Sequence, residues 1–164
     1  MDRRSLIVGA FVAFGVTPAA AAARKVIVTV AVPNYSGVSA DELEESLAHD
    51  LRKVGVAVVE PSTIAPDDRR GARIGIVQLS RGAVPPYGLL QWMRRQYGAN
   101  VSLRVLIHFE GTQTAKVVYY CVDLHSNAHL PSGSVKAYGG DMRDAAQKAL
   151  LMIAQGLRNQ NYAP

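Results

Sequence analysis

The chain has 164 residues, 49% of them hydrophobic and 19% charged, with 18 Lys and Arg against 13 Asp and Glu and a formal charge of +5. That length suits one domain, and the balance is that of a globular chain with enough apolar material for a core, which excludes collagen-like and disordered classes. The positive excess is modest, and no nucleic-acid partner is expected from it. The single cysteine, Cys121, cannot form an internal disulfide and must be buried, free or intermolecular.

Arg3 and Arg4 precede an apolar stretch from Leu6 to Val16, followed by Pro18 and an alanine run in which Ala21 and Ala23 fit an Ala-x-Ala cleavage site. Residues 1–23 are therefore expected to be an export signal peptide, and 24–164 a single α/β domain, periplasmic or secreted once the signal is removed. An uncleaved anchor is the rival. Gly9, Gly15, Pro18 and consecutive alanines make a poor version of the roughly 20 strongly apolar residues that a membrane helix needs. With no Cys in the alanine run to accept a lipid, the mature protein is expected to be soluble and to meet a membrane only during export. Arg3-Arg4-Ser5-Leu6-Ile7 also resembles a twin-arginine signal, and an ordinary secretory signal accounts for the same residues.

Val26 to Val32 is a nearly unbroken β-branched run, the pattern of a strand covered on both faces. Pro33-Asn34-Tyr35-Ser36-Gly37 ends it with turn chemistry. Ser39 and Glu42 form a capping-box signature for a helix whose apolar stripe is Leu43, Leu47, Leu51 and Val54, with Gly55 as its stop. Val56 to Val59 follows as a strand, so the chain opens with a βαβ unit whose strands are parallel. Pro61 to Arg73, with two prolines, Gly71 and many charges, is expected to be an exposed loop, and Ile74 to Leu79 a short strand. Pro85-Pro86 then starts a second helix with Leu89, Leu90, Met93 and Tyr97 on one side and Gly98 at its end.

Val101, Leu103, Val105, Ile107 and Phe109 alternate with Ser102, Arg104, His108 and Glu110, which predicts a strand with one wet face. Gly111-Thr112-Gln113 turns the chain into a strand from Ala115 to Leu124, and Pro131-Ser132-Gly133 into another from Ser134 to Tyr138, an antiparallel meander. A last helix runs from about Asp141 to Leu157 on the stripe Met142, Ala146, Ala149, Leu150, Ile153 and Leu157. The expected fold is α/β, a mixed sheet opened by a βαβ unit and followed by a helix, a three-strand meander and a C-terminal helix.

Three patches in this order carry a resemblance: Val30-Ala31-Val32-Pro33-Asn34-Tyr35-Ser36-Gly37; the Leu43, Leu47, Leu51 helix running into Gly55-Val56-Ala57-Val58-Val59-Glu60; and Tyr97-Gly98-Ala99-Asn100 with Val122-Asp123-Leu124-His125-Ser126-Asn127-Ala128-His129-Leu130. The chain resembles the small α/β domain shared by the amino-terminal domain of TolB, the curli-secretion protein CsgG and the penicillin-binding-protein activator LpoB. That resemblance implies a noncatalytic domain that docks onto envelope machinery, and fold alone does not fix function.

Cys121, Asp123, His125 and His129 have the side chains that bind zinc or copper, at loose spacing. They define a rival class, a small metal-binding or hydrolytic enzyme; a buried cysteine beside two solvated histidines accounts for the same residues. Cys121 as a nucleophile would need His108 or His125 within reach, and Ser126 lies in no strained Gly-x-Ser-x-Gly elbow. No phosphate loop or dinucleotide fingerprint follows any strand, so no cofactor is expected. Arg69, Arg70, Arg73, Arg81, Arg94 and Arg95 make the middle of the chain basic, as a surface for an anionic partner or as a solvated face. Tyr87, Trp92, Arg94 and Arg95 join aromatics and arginines beside a Pro-rich turn, the composition of binding hot spots; Trp92 could equally pack on the sheet. These four residues are the expected partner-binding site for an envelope protein, on a chain that is not an enzyme. A small-ligand carrier is a third reading.

Overall fold

The computed structural model describes residues 24–80 and 87–158, with only the backbone for Leu79, Ser80 and Tyr87. The export signal expected over 1–23 and the Pro85-Pro86 helix start lie outside the described residues. Strand β1 is Lys25–Ala31, helix α1 Ala40–Lys53, β2 Ala57–Val58, α2 Pro66–Ser80, α3 Tyr87–Tyr97, β3 Val101–Phe109, β4 Thr114–Asp123, β5 His129–Tyr138 and α4 Met142–Arg158. They form one mixed sheet of five strands in the order β2-β1-β3-β4-β5, with β1 parallel to β2 and β3 and the β3-β4-β5 meander antiparallel. Among the described residues no helix is long and apolar enough to cross a membrane.

The β-branched run of β1 is buried from Val26 to Ala31 because helices cover both of its faces. Val26, Val28 and Val30 point to the layer of α1 and α4, where they meet Leu43, Leu47 and Leu51 of α1 and Leu150 and Ile153 of α4. Ile27 points to the opposite layer, against Ala72 of α2 and Leu90 and Met93 of α3. Ser39 caps α1, its hydroxyl accepting from the Glu42 N–H at 3.3 Å. Asp141 does the same for α4 through the Asp144 N–H at 2.8 Å. In α4 the alanines Ala145, Ala146, Ala149 and Ala154 are all buried, which lets the helix lie close on the sheet.

Three expectations are corrected. The loop and short strand read over 61–79 are helix α2. Pro66 occupies the first turn, where its missing N–H is no loss, and Asp67 and Asp68 sit beside the positive end of the helix dipole. Ala72 and Ile76, four apart, are its buried contacts, whereas the β-branched Ile74 and Val77 that suggested a strand face outward. Tertiary contact thus overrides the penalty of about 1 kcal/mol that each of Gly71 and Gly75 carries in a helix.

The wet face expected on β3 is dry over most of its length. Ser102 and Arg104 are buried, with Thr29 of β1 opposite Arg104, and exposure begins only at His108. The layer of α2 and α3 covers what the alternation marked as solvent-facing.

The third correction moves the last turn from Pro131-Ser132-Gly133 to residues 124–128. The Asp123 carboxylate accepts from the N–H groups of His125 at 2.8 Å and Ser126 at 3.0 Å, and Asn127 takes a left-handed φ of 58°. Pro131 to Gly133 lie inside β5, where the register shifts between Tyr119 and Cys121 of β4. A proline is tolerated there because β5 is an edge strand with a bulge. Gly133 lies under the Tyr119 ring: a Cβ on it would come within 2.7 Å of the phenol oxygen.

Candidate functional site

The expected site residues fall on α3 and the turn beside it. Trp92 is 44% exposed. Its indole N–H donates to Asp68 Oδ2 at 3.3 Å, and the same oxygen accepts from the Tyr97 hydroxyl at 2.6 Å, so two aromatics of α3 are pinned to the first turn of α2. The Tyr97 oxygen also accepts from the Ala65 N–H at 3.1 Å. Burial and the bond to Asp68 together push the Tyr97 hydroxyl above its ordinary pKa, so it stays a donor. Trp92 is thus half-exposed, with its indole N–H tied to the first turn of α2.

Arg94 and Arg95 point differently. Arg94 donates to His125 Nδ1 at 2.9 Å, tying α3 to the turn that follows β4. Gln91 reinforces this tie, its amide donating to Leu124 O at 2.9 Å and Asn127 Oδ1 at 2.8 Å. Arg95 is exposed and makes no ion pair or hydrogen bond among the described residues. Tyr87 opens α3, with its side chain outside the described residues.

The structure does not bring the metal-type set together. Cys121 is buried in the core shared with α1 and α4, the Asp123 carboxylate is held by its own turn, His125 meets Arg94, and His129 is exposed on β5. Among the described residues no three His, Cys, Asp or Glu side chains gather as a metal ion requires.

Sequence reasoning missed the acids that organise α2. Asp68 was hidden by the loop reading, although Pro66-Asp67-Asp68 is itself a helix-start signal. Glu44 of α1 is fully buried; its Oε1 accepts from the Val30 N–H and from Arg73 Nε, both at 3.0 Å, and its Oε2 from a second Arg73 nitrogen at 2.7 Å. Arg69 stands 3.6 Å from Oε2, and Asp41 bonds both arginines. The Arg73 hydrogen bond holds Asp41 below the usual carboxylate range. Burial acts against the charge on Arg73, but the bonds to Glu44 and Asp41 outweigh it and raise its pKa. At the other end of β1, past Glu44, a groove of about 640 Å³ opens between Ala31-Val32-Pro33 and the outer side of α2.

These features define a three-layer α/β domain, with helices on both faces of one mixed sheet. No family model and no curated protein matches the sequence. The fold is similar to that of PelC, solved as a dodecamer from Paraburkholderia phytofirmans, with 15% identity, 83% of this chain and 87% of that chain covered, and a TM-score of 0.56. It is equally similar to the hypothetical protein CT253 from Chlamydia trachomatis, at 14% identity, 83% and 96% coverage and a TM-score of 0.56. These two carry the likeness, which at such identities is one of fold. The LpoB C-terminal domain from Salmonella enterica is also among the structures found, at 13% identity, 71% and 83% coverage and a TM-score of 0.47.

Proposed function

We propose that this is an exported, non-catalytic binding or assembly domain of the cell envelope, which captures a protein partner through the surface of Tyr87, Trp92, Arg94 and Arg95. The observation that carries the reading is the half-exposed Trp92, fixed by Asp68 and flanked on the same helix by the exposed Arg95. An aromatic held in one orientation gives up little conformational entropy on binding, and an unengaged guanidinium beside it supplies directional donors; Trp and Arg are the residues in which interface energy concentrates. Export in residues 1–23 and a periplasmic site of action belong to the same proposal.

The test is retention of a partner from a periplasmic extract on the immobilised protein. Arg95→Ala should leave stability within about 0.5 kcal/mol of the parent, since the side chain is exposed, and should release the partner. Undiminished retention by that folded variant would move the interface off α3. Turnover of an ester, peptide or phosphate substrate by the purified protein would overturn the non-catalytic reading.

A further inference from the structure

Residues 66, 69, 70 and 73 are spaced three and four apart, so they share one side of α2, and Arg69 and Arg73 turn that side toward Asp41 in the first turn of α1. Pro66, Arg69, Arg70 and Arg73 line a pocket there of about 200 Å³, with Asp41 as its other wall. The fully buried Glu44 stands behind Arg73 and bonds it. Like charges three and four apart on a helix repel one another and weaken it. The sequence nevertheless holds three arginines at this spacing, and a local rule broken in this way marks a candidate functional position.

The charges around this pocket do not cancel: three guanidinium groups meet two carboxylates, Asp41 and Glu44. The donors are not used up either, since each guanidinium carries five N–H groups. Among the described residues Arg69 bonds through one nitrogen, to Asp41 Oδ1 at 3.3 Å, and Arg73 through two, to Glu44 and Asp41. Arg70, which is exposed, makes no hydrogen bond or ion pair among them. The side chains of Arg69 and Arg73 are only 17% and 25% exposed, so water screens their charge less than it would on an open surface. We propose that this pocket binds a phosphate group. Arginine forks match the oxygens of carboxylates and phosphates. A carboxylate has two oxygens in one plane and satisfies one fork, whereas three arginines around one pocket suit a tetrahedral anion with oxygens in several directions. The volume fits free phosphate or a small phosphomonoester, and the Asp41 carboxylate, as a like charge, limits the affinity.

Calorimetric titration of the purified protein with inorganic phosphate, at constant ionic strength, tests this. Phosphate should bind one to one, and acetate should bind at least about tenfold more weakly. Arg70→Ala, at an exposed position, should keep the circular dichroism spectrum and weaken phosphate binding by about ten- to a hundredfold, the value of a hydrogen bond to a charged group. Arg70→Gln serves as a second variant should the first fail to fold. Lys116→Ala removes the same charge from an exposed site on β4 and should leave binding unchanged. Asp41→Asn removes the opposing carboxylate and should tighten it. Glycerol 3-phosphate and vesicles of phosphatidylglycerol distinguish the sources of the group: binding of either small phosphate supports the pocket, and binding of vesicles alone overturns it. The proposal also falls if phosphate does not bind, if acetate binds equally well, if Arg70→Ala binds like the parent, or if Lys116→Ala weakens binding as much as Arg70→Ala. None of these results touches the α3 surface, whose test is made with Arg95→Ala.

Discussion

The two faces of the sheet are built on different terms. On the α1/α4 side a single apolar cluster runs from Val26 through Leu43, Leu47 and Leu51 to Leu150 and Leu157, with alanines letting the helices approach. On the α2/α3 side the apolar contacts break into two separate groups, one around Ile27, Leu90 and Met93 and a small one of Ala31, Ile76 and Leu106. Between them lie the buried polar residues Thr29, Ser102 and Arg104, and the helices are fastened by hydrogen bonds that Asp68 and Glu44 accept and Gln91 donates. The first face stores its stability in apolar burial. The second depends on directional polar contacts, which leave side chains such as Trp92, Ile74 and Val77 turned outward.

The sharpest way to break this contrast is at Arg73. Arg73→Ala leaves Glu44 buried with Arg69 at 3.6 Å as its remaining cation, and stranding one member of a buried pair costs about 3–5 kcal/mol. The deficit should be greatest at neutral pH and shrink as the pH falls, because protonated Glu44 can be buried without a counter-charge; urea midpoints at pH 7 and pH 4 measure it. A deficit independent of pH would mean that Arg73 acts by packing alone.

Next comes Leu47→Ala, a fully buried truncation expected to lower stability by about 2–5 kcal/mol in a global, two-state transition. Hydrogen exchange sharpens the comparison: amides of α2 should open at a lower free energy than those of α1 and α4, and Arg73→Ala should lower α2 further without lowering α4 beyond the global change. Equal opening energies for all four helices would dissolve the distinction between the faces.

The smallest effect concerns the turn after β4. The Ser126 N–H, with that of His125, holds the Asp123 carboxyl below its ordinary range. The folded pKa is thus lower than the unfolded one, so this contribution is complete above the ordinary value of about 3.9 and is lost as the pH falls through the lowered one. Asp123→Asn should be less stable by about 1 kcal/mol at pH 7 and indistinguishable from the parent at pH 2. A thermal scan at both values checks this, and a gap that persists in acid would assign the loss to geometry instead of charge.

What the sequence made legible follows the same division. β1, α1, α3 and α4 were readable because their buried apolar residues form either an unbroken run, as in β1, or a stripe at helical spacing. α2 was not, since its buried contacts are few and its most apolar residues, Ile74 and Val77, face out. Ser102 and Arg104 looked wet because period-two alternation records polarity, and burial there depends on a helix layer elsewhere in the chain. Pro131 was taken for a turn by a rule that holds for interior strands and relaxes at an edge. Of the candidate site, Trp92, Arg94 and Arg95 could be named from their composition. Their partners Asp68 and His125 could not be assigned, because a contact between residues 24 or 31 positions apart leaves no local signal.

The shortness of β2 has a consequence for solubility. Among the described residues, the outer side of β1 from Ile27 to Ala31 has no strand beside it, and an open row of backbone groups is a template on which other chains polymerise. Glu44 occupies that row: its carboxylate takes the Val30 N–H, and its bonds to Arg73 draw α2 across the gap. A side chain from the neighbouring helix thus stands where a longer strand would have been, and it brings a charge that an invading strand would have to bury. Loss of this one carboxylate would therefore weaken the domain and also uncover a seed for amyloid-like growth.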